Sequence, residues 1–157
     1  MTDAIQIYTD GSYKHLQKKG GFGVVFILGK RMKKYHSRSF VDTTNVRMEI
    51  RGVIHALEKC NPGHTIDIYC DNEHVINMAN EWLDNNIANN TMSSKANIDL
   101  WRKFYLARKV HLDGKSKLKF IWIRGHAGNP FNEMADKLAT KASRKGKPII
   151  CKRNTYT

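Results

Sequence analysis

The chain has 157 residues, of which 41% are hydrophobic and 26% charged, and a formal net charge of +13. That length and composition fit one globular domain rather than a disordered chain. The longest aliphatic and aromatic run, Val24 to Leu28, is far short of the roughly 20 residues of a membrane span, and no basic region leads into an apolar leader after Met1, so a cytoplasmic location is expected.

Ile5, Ile7 and Thr9 alternate with Gln6, Tyr8 and Asp10, predicting a strand that ends at Gly11-Ser12. Phe22 to Leu28 is a second strand, Gly29-Lys30-Arg31 a hairpin turn, and Lys33 to Val41 a third strand, together an antiparallel meander. From Asn45 the period becomes helical: Val46, Ile50, Val53, Ile54 and Leu57 predict a helix to Lys59, with Asn45 as N-cap and Asn61-Pro62-Gly63 as its stop. Thr65 to Asp71 reads as a fourth strand, and Val75, Ile76, Ala79, Trp82 and Leu83 as a second helix, with a polar connection from Asn85 to Ser94. Ile98 to Val110 is a third helix, Leu118 to Arg124 a fifth strand, and Pro130 opens a last helix bearing Met134, Leu138, Ala139 and Ala142. From Arg144 the chain reads as a mobile basic tail, dividing it into a domain of residues 1–143 and a tail of residues 144–157. The crossover from third to fourth strand demands a parallel, right-handed connection. The expected fold is therefore α/β: a five-stranded mixed sheet, three antiparallel strands then parallel crossovers, with helices on both faces.

The basic excess is uneven. Residues 1–100 carry 12 basic and 11 acidic side chains, residues 101–157 carry 15 and 3, which makes a polyanion the natural partner and a solvated surface the plainer alternative. Cys60, Cys70 and Cys151 have neither CxxC nor zinc-ligand spacing and read as reduced thiols, with Cys70 a small buried side chain.

Asp10 and Asp71 each end a predicted strand. If those strands are parallel neighbours the two carboxylates meet beyond their carboxyl ends, where a divalent cation would relieve the repulsion; otherwise both are turn residues. Glu49 and Asp136 lie beside the apolar stripes of their helices and add two further acids.

Tyr8-Thr9-Asp10-Gly11-Ser12, Thr43-Thr44-Asn45-Val46-Arg47-Met48-Glu49, Tyr69-Cys70-Asp71-Asn72, Gly125-His126-Ala127-Gly128-Asn129-Pro130 and Asn132-Glu133-Met134-Ala135-Asp136 together resemble type 1 ribonuclease H over about residues 4 to 142. The resemblance implies an endonuclease that cuts the RNA strand of RNA-DNA hybrids, leaving 5′-phosphate and 3′-hydroxyl ends. It implies two Mg2+, with Mn2+ able to substitute, on Asp10, Glu49, Asp71 and Asp136, oxygen ligands that suit a hard cation. It also implies a proton-transfer or product-release role for His126, and for Glu133 a place near the metals, against a plain surface glutamate. Gly11, Ser12, Thr44, Asn45, Glu73, Trp82 and Asn85 match substrate-contacting positions, although Trp82 also fits core packing. The implied enzyme is a monomer with an RNA-DNA hybrid as partner, no membrane association and no small-molecule cofactor.

The sequence departs from the family in the loop Tyr13 to Lys19, at Val46 and Glu73, and at Asn85 to Asn97, where a basic protrusion is reduced to Lys95. Arg102, Lys103, Arg108, Lys109 and the tail are therefore expected to grip phosphates. A resolvase-like nuclease of the same fold would lack the Gly-His-Ala-Gly loop, and a non-catalytic binding module would not need all four acids.

Overall fold

The structure is a computed structural model that describes residues 4–30, 32–91, 96–145 and 147–150. Lys95, Cys151 and the rest of residues 151–157 lie outside the described residues.

Among the described residues six strands form one sheet: β1 (Ile5–Lys14), β2 (Lys19–Leu28), β3 (Met32–Val41), β4 (Thr65–Cys70), β5 (Lys117–Trp122) and β6 (Pro148–Ile150), in the order β5-β4-β1-β2-β3-β6. The β1–β2–β3 meander is antiparallel, whereas β4 lies parallel to β1 and β5 parallel to β4. All five expected strands are present with the expected mixed pairing. The sixth is a correction to the reading of a tail from Arg144: Arg144 and Lys145 form the last turn of a helix, and Pro148–Ile150 pairs parallel to β3. Three residues starting at proline carry no readable period, yet proline is tolerated at the first residue of an edge strand.

The helices are α1 (Asn45–Glu58), α2 (Glu73–Asn77), α3 (Leu83–Ala88), α4 (Ile98–Asp113) and α5 (Pro130–Lys145), with a π-helical turn, Met78–Trp82, joining α2 to α3. Because strand side chains alternate between faces, Ile7, Val24, Ile66 and Ile68 pack with α1 and α4 in a large core that holds Trp101 and Phe104. Tyr8, Val25 and Ile27 face the other way, against Ala135 of α5. Thr44, not Asn45, caps α1: its extended backbone lets Oγ1 accept the Arg47 N–H at 3.1 Å, and Asn45 becomes the first helical residue. The expected polar connection begins later than Asn85, since burial of Leu83 carries helix through Ala88. A buried bidentate pair, Arg47 Nη1 and Nη2 to Asp99 at 2.9 and 2.7 Å, locks α4 to α1.

Two glycines let α5 lie close on the sheet. A Cβ on Gly23 would come within 2.4 Å of the Ala135 carbonyl oxygen, and one on Gly21 within 2.6 Å of the Ala142 Cβ. That approach sets where Asp136 stands relative to β1.

Candidate active site

Asp10 is not a turn residue. β1 runs on to Lys14, and Asp10 pairs with Gly23 inside it. Thr9 is the register partner of Cys70 across the parallel β1–β4 pair, so Asp10 and Asp71 each stand one residue past the same rung. Glu49 arrives from α1, which packs against β1 where Gly11 offers no side chain; a Cβ there would lie 2.7 Å from the Glu49 amide nitrogen. Asp136 comes from α5 on the opposite face. Two helices, one from each side of the sheet, thus bring acids to the same end of two central strands.

The acids act on one another electrostatically. Burial pushes the Asp10 carboxyl up to about 8, with Asp71 and Asp136 adding to the rise, while a hydrogen bond links it to Glu49. Glu49 is also raised well above the usual carboxyl range, first by burial and then by Asp10 and Asp71. Two nearly buried acids, 5% and 4% exposed, are therefore biased towards their neutral forms, a bias that a bound cation would relieve. The donor set is chiefly carboxylate oxygen, which suits a hard divalent ion such as magnesium, and Glu49, Cys70 and Asp71 already bring ligand atoms within 4.8 Å of one another.

The supporting contacts include residues that sequence reasoning missed. The Gly11 N–H donates to Asp10 Oδ1 at 2.9 Å, and the Cys70 thiol donates to Glu49 Oε2 at 3.6 Å. Asn132, 3% exposed, donates Nδ2–H to Asp71 Oδ2 at 3.4 Å. Its place one turn before Asp136 on α5 was the available signal. Gly125 leaves room for Asp71, since a Cβ there would sit 2.9 Å from Oδ2. Cys70 is buried as expected, and burial raises its thiol well above the ordinary range.

His126 follows Gly125 on the exposed connection between β5 and α5, with φ 54° in the left-handed region. Glu133 is exposed in the first turn of α5. Ser12 meets Ser143 of α5, Oγ to Oγ, at 3.2 Å. Thr44 is engaged in capping, Asn45 is exposed beside it, and the Thr43 Oγ1 is buried without a partner. Glu73 opens α2, whose N-cap is Asn72. Trp82 is 40% exposed, so it is not a core residue; the buried tryptophan is Trp101. Trp82 and Asn85 line one hollow of about 500 Å³ with His74, Met78, Asn97 and Trp101.

The expected α4 grip is partly overturned. Arg108 is buried, donating to the Ala79 carbonyl at 3.1 Å and pairing with Asp84 at 2.5 Å, so it has no face for a phosphate. Lys103 pairs with Glu58 at 3.7 Å and Lys109 with Asp113 at 3.0 Å, while Arg102 is exposed.

A sequence profile described as RNase H matches residues 2–144. The chain belongs to the RNase H family. A ribonuclease H of Hahella chejuensis is 35% identical over 139 residues, covering 86% of this chain and 90% of that protein. Among solved structures, a type 1 RNase H with the type 2 active-site motif superposes with a TM-score of 0.75 at 24% identity, covering 91% of this chain and 73% of the other. A foamy viral protease-reverse transcriptase in complex with RNA/DNA hybrid gives 0.74 at 24% identity over 90% of this chain and 20% of that larger one. These two likenesses bear out the fold. The RNase H assignment makes the chain a ribonuclease, a hydrolase of the metal-dependent endonuclease type, and no helix among the described residues is long and apolar enough to cross a membrane.

Proposed function

We propose that the chain hydrolyses the RNA strand of RNA-DNA hybrids, leaving 5′-phosphate and 3′-hydroxyl ends, with two Mg2+, or Mn2+ in their place, held by Asp10, Glu49, Asp71 and Asp136. The observation that carries this reading is the meeting of four carboxylates from β1, α1, the end of β4 and α5, two of them raised by burial and by their neighbours, in a chain of the RNase H family. When bound, the ions would supply Lewis acidity, activating the attacking water and stabilising the leaving oxygen.

The chain's own residues present and steady the ligands. Gly11 N–H fixes one oxygen of Asp10, Asn132 one oxygen of Asp71, and the Cys70 thiol one oxygen of Glu49. His126, on an exposed loop beside Asp71 through Gly125, carries protons or assists product departure. Glu133 stands three residues from Asp136 on α5 and influences the metals from the rim. The unpartnered Thr43 hydroxyl, the exposed Asn45 and the N-terminus of α1 offer donors to phosphate or sugar. In this reading Gly11, Ser12, Thr44 and Glu73 contact the hybrid near the acids. Exposed Trp82 with Asn85 provides a face for the DNA strand, and polar groups near the acids read the 2′-hydroxyls of the RNA strand. All four acids come from one chain, which supports a monomer, and free Cys60 and Cys70 fit a reducing compartment such as the cytoplasm.

The test is incubation with matched RNA-DNA, RNA-RNA and DNA-DNA duplexes, with Mg2+ or with EDTA. The expected result is cleavage of the RNA strand in the hybrid alone, abolished by EDTA. Equal cutting of all three duplexes, or no cutting of the hybrid by folded protein, contradicts the proposal.

A further inference from the structure

Ser39 on β3 is 3% exposed, and its Oγ has no hydrogen-bond partner. A buried hydroxyl left unpaired is costly, so its place calls for an explanation. It lines a groove of about 380 Å³ between β3 and α5, together with Ser37, Leu138, Lys141, Lys145 and Lys147. On α5, Lys137, Lys141 and Lys145 recur every four residues and so share one flank. A second hollow on that flank, about 320 Å³, is lined by Asp136, Lys137, Thr140, Lys141, Arg144 and Lys145. The two hollows share Lys141 and Lys145, so a basic track runs from the acidic centre into the groove. Among the described residues no carboxylate pairs with Lys137, Lys141, Lys145 or Lys147.

We propose that this groove is a phosphate subsite for the nucleic acid that enters the active site: a backbone phosphate accepts from the Ser39 hydroxyl and is neutralised by Lys141, Lys145 and Lys147. The inference rests on the hybrid-cutting reading and extends it to a surface behind α5. Lysines suit this task because they act as point charges on a sequence-independent backbone. Nine residues of helix separate Asp136 from Lys145, about 13 Å along the axis. At about 3.4 Å per base pair the contacted phosphate lies roughly four steps from the cleavage point. The basic excess of the last third of the sequence then acts through α5, where its lysines are unpaired, rather than through α4.

The experiment measures affinity by fluorescence anisotropy in an inactive Asp71→Asn background, with hybrids of about 18 and about 6 base pairs, across a salt series. The short hybrid, centred on the cleavage point, does not reach four steps to either side. Lys141→Glu with Lys145→Glu is expected to weaken the long hybrid about tenfold or more and to flatten the slope of log affinity against log salt by about 1, since one neutralised phosphate contributes about 0.9. The variant-to-parent ratio on the short hybrid should stay near one. Ser39→Ala should weaken the long hybrid about threefold while its melting temperature holds or rises, because an orphaned hydroxyl is removed; a structural serine would lower it. Unchanged affinity and slope on the long hybrid, an equal loss on both lengths, or a fall in melting temperature for Ser39→Ala would overturn the subsite. Failure of the unmutated protein to cut any hybrid would instead overturn the proposed function, and shows itself separately.

Discussion

Replacing Asp10 by asparagine should make the metal-free protein more stable while removing its activity. Asp10 is 5% exposed, and its carboxyl is pushed up to about 8 by burial, then by Asp71 and Asp136. An acid whose folded pKa is raised binds its proton more tightly in the folded state. Its contribution to stability is therefore full below about pH 4 and is lost as pH climbs towards about 8. The loss grows by about 1.4 kcal/mol per pH unit, to an upper bound of about 4 kcal/mol at pH 7. Glu49 is hydrogen-bonded to Asp10 and also raised, so the gain from changing Asp10 alone falls below that bound. Asparagine keeps the shape and an Oδ1 to accept the Gly11 N–H, now at 2.9 Å from the aspartate, and it carries no charge. In EDTA at pH 7, Asp10→Asn should gain about 2 kcal/mol, or roughly 4 to 8 °C in melting temperature for a domain of this size. The gain should vanish near pH 4, and it should narrow at pH 7 with saturating Mg2+, which stabilises the parent by binding only its folded state. Urea denaturation followed by circular dichroism at pH 4, 5.5 and 7 measures all of this. An Asp10→Asn protein less stable than the parent at pH 7, or equally stabilised at pH 4, refutes the reasoning.

Gly23→Ala should cost about 3 kcal/mol or more, because its Cβ would meet the Ala135 carbonyl oxygen at 2.4 Å and drive α5 off the sheet; a loss below about 1 kcal/mol in chemical denaturation would show that the helix moves freely. Asp99→Ala should cost about 3 to 5 kcal/mol by leaving the Arg47 guanidinium, 1% exposed, without its carboxylate; a near-neutral change would mean that water or a neighbour replaces it. His126→Ala should slow hybrid cleavage by about 10²-fold to 10⁴-fold and leave it measurable, whereas Asp71→Asn should leave almost none. Equal loss in a side-by-side assay would give the histidine a different role.

Strands and helices with clear periods were legible in the sequence, but the meeting of Asp10 with Asp71 was legible only on the condition that the first and fourth strands are parallel neighbours, which the crossover after β3 does not fix and the β1–β4 register supplies. The misses have physical causes. Three-residue β6 is too short for a period, and its proline argues against a strand. Thr44 and Asn45 are both good capping residues, and only the backbone angles decide between them. Trp82 falls at a helical spacing that suits the core, but the π-helical turn at Met78–Trp82 shifts the phase and leaves the ring 40% exposed. Arg108 counted towards a basic surface in the sequence, yet its partner Asp84 lies 24 residues away and only the tertiary fold joins them. Asn132 had its place one turn before Asp136 as a signal but no charge to mark it, and its contact with Asp71 crosses 61 residues.

The most direct measurement is end-group analysis of the RNA strand after cleavage of a hybrid. Water attack at a metal-dependent site of four carboxylates predicts 5′-phosphate and 3′-hydroxyl ends, formed with Mg2+ and absent in EDTA or with Asp10→Asn. Ends bearing a 2′,3′-cyclic phosphate would mean attack by the RNA's own 2′-hydroxyl, and cleavage that persists in EDTA would mean a metal-independent route; either would contradict the assignment of Asp10, Glu49, Asp71 and Asp136.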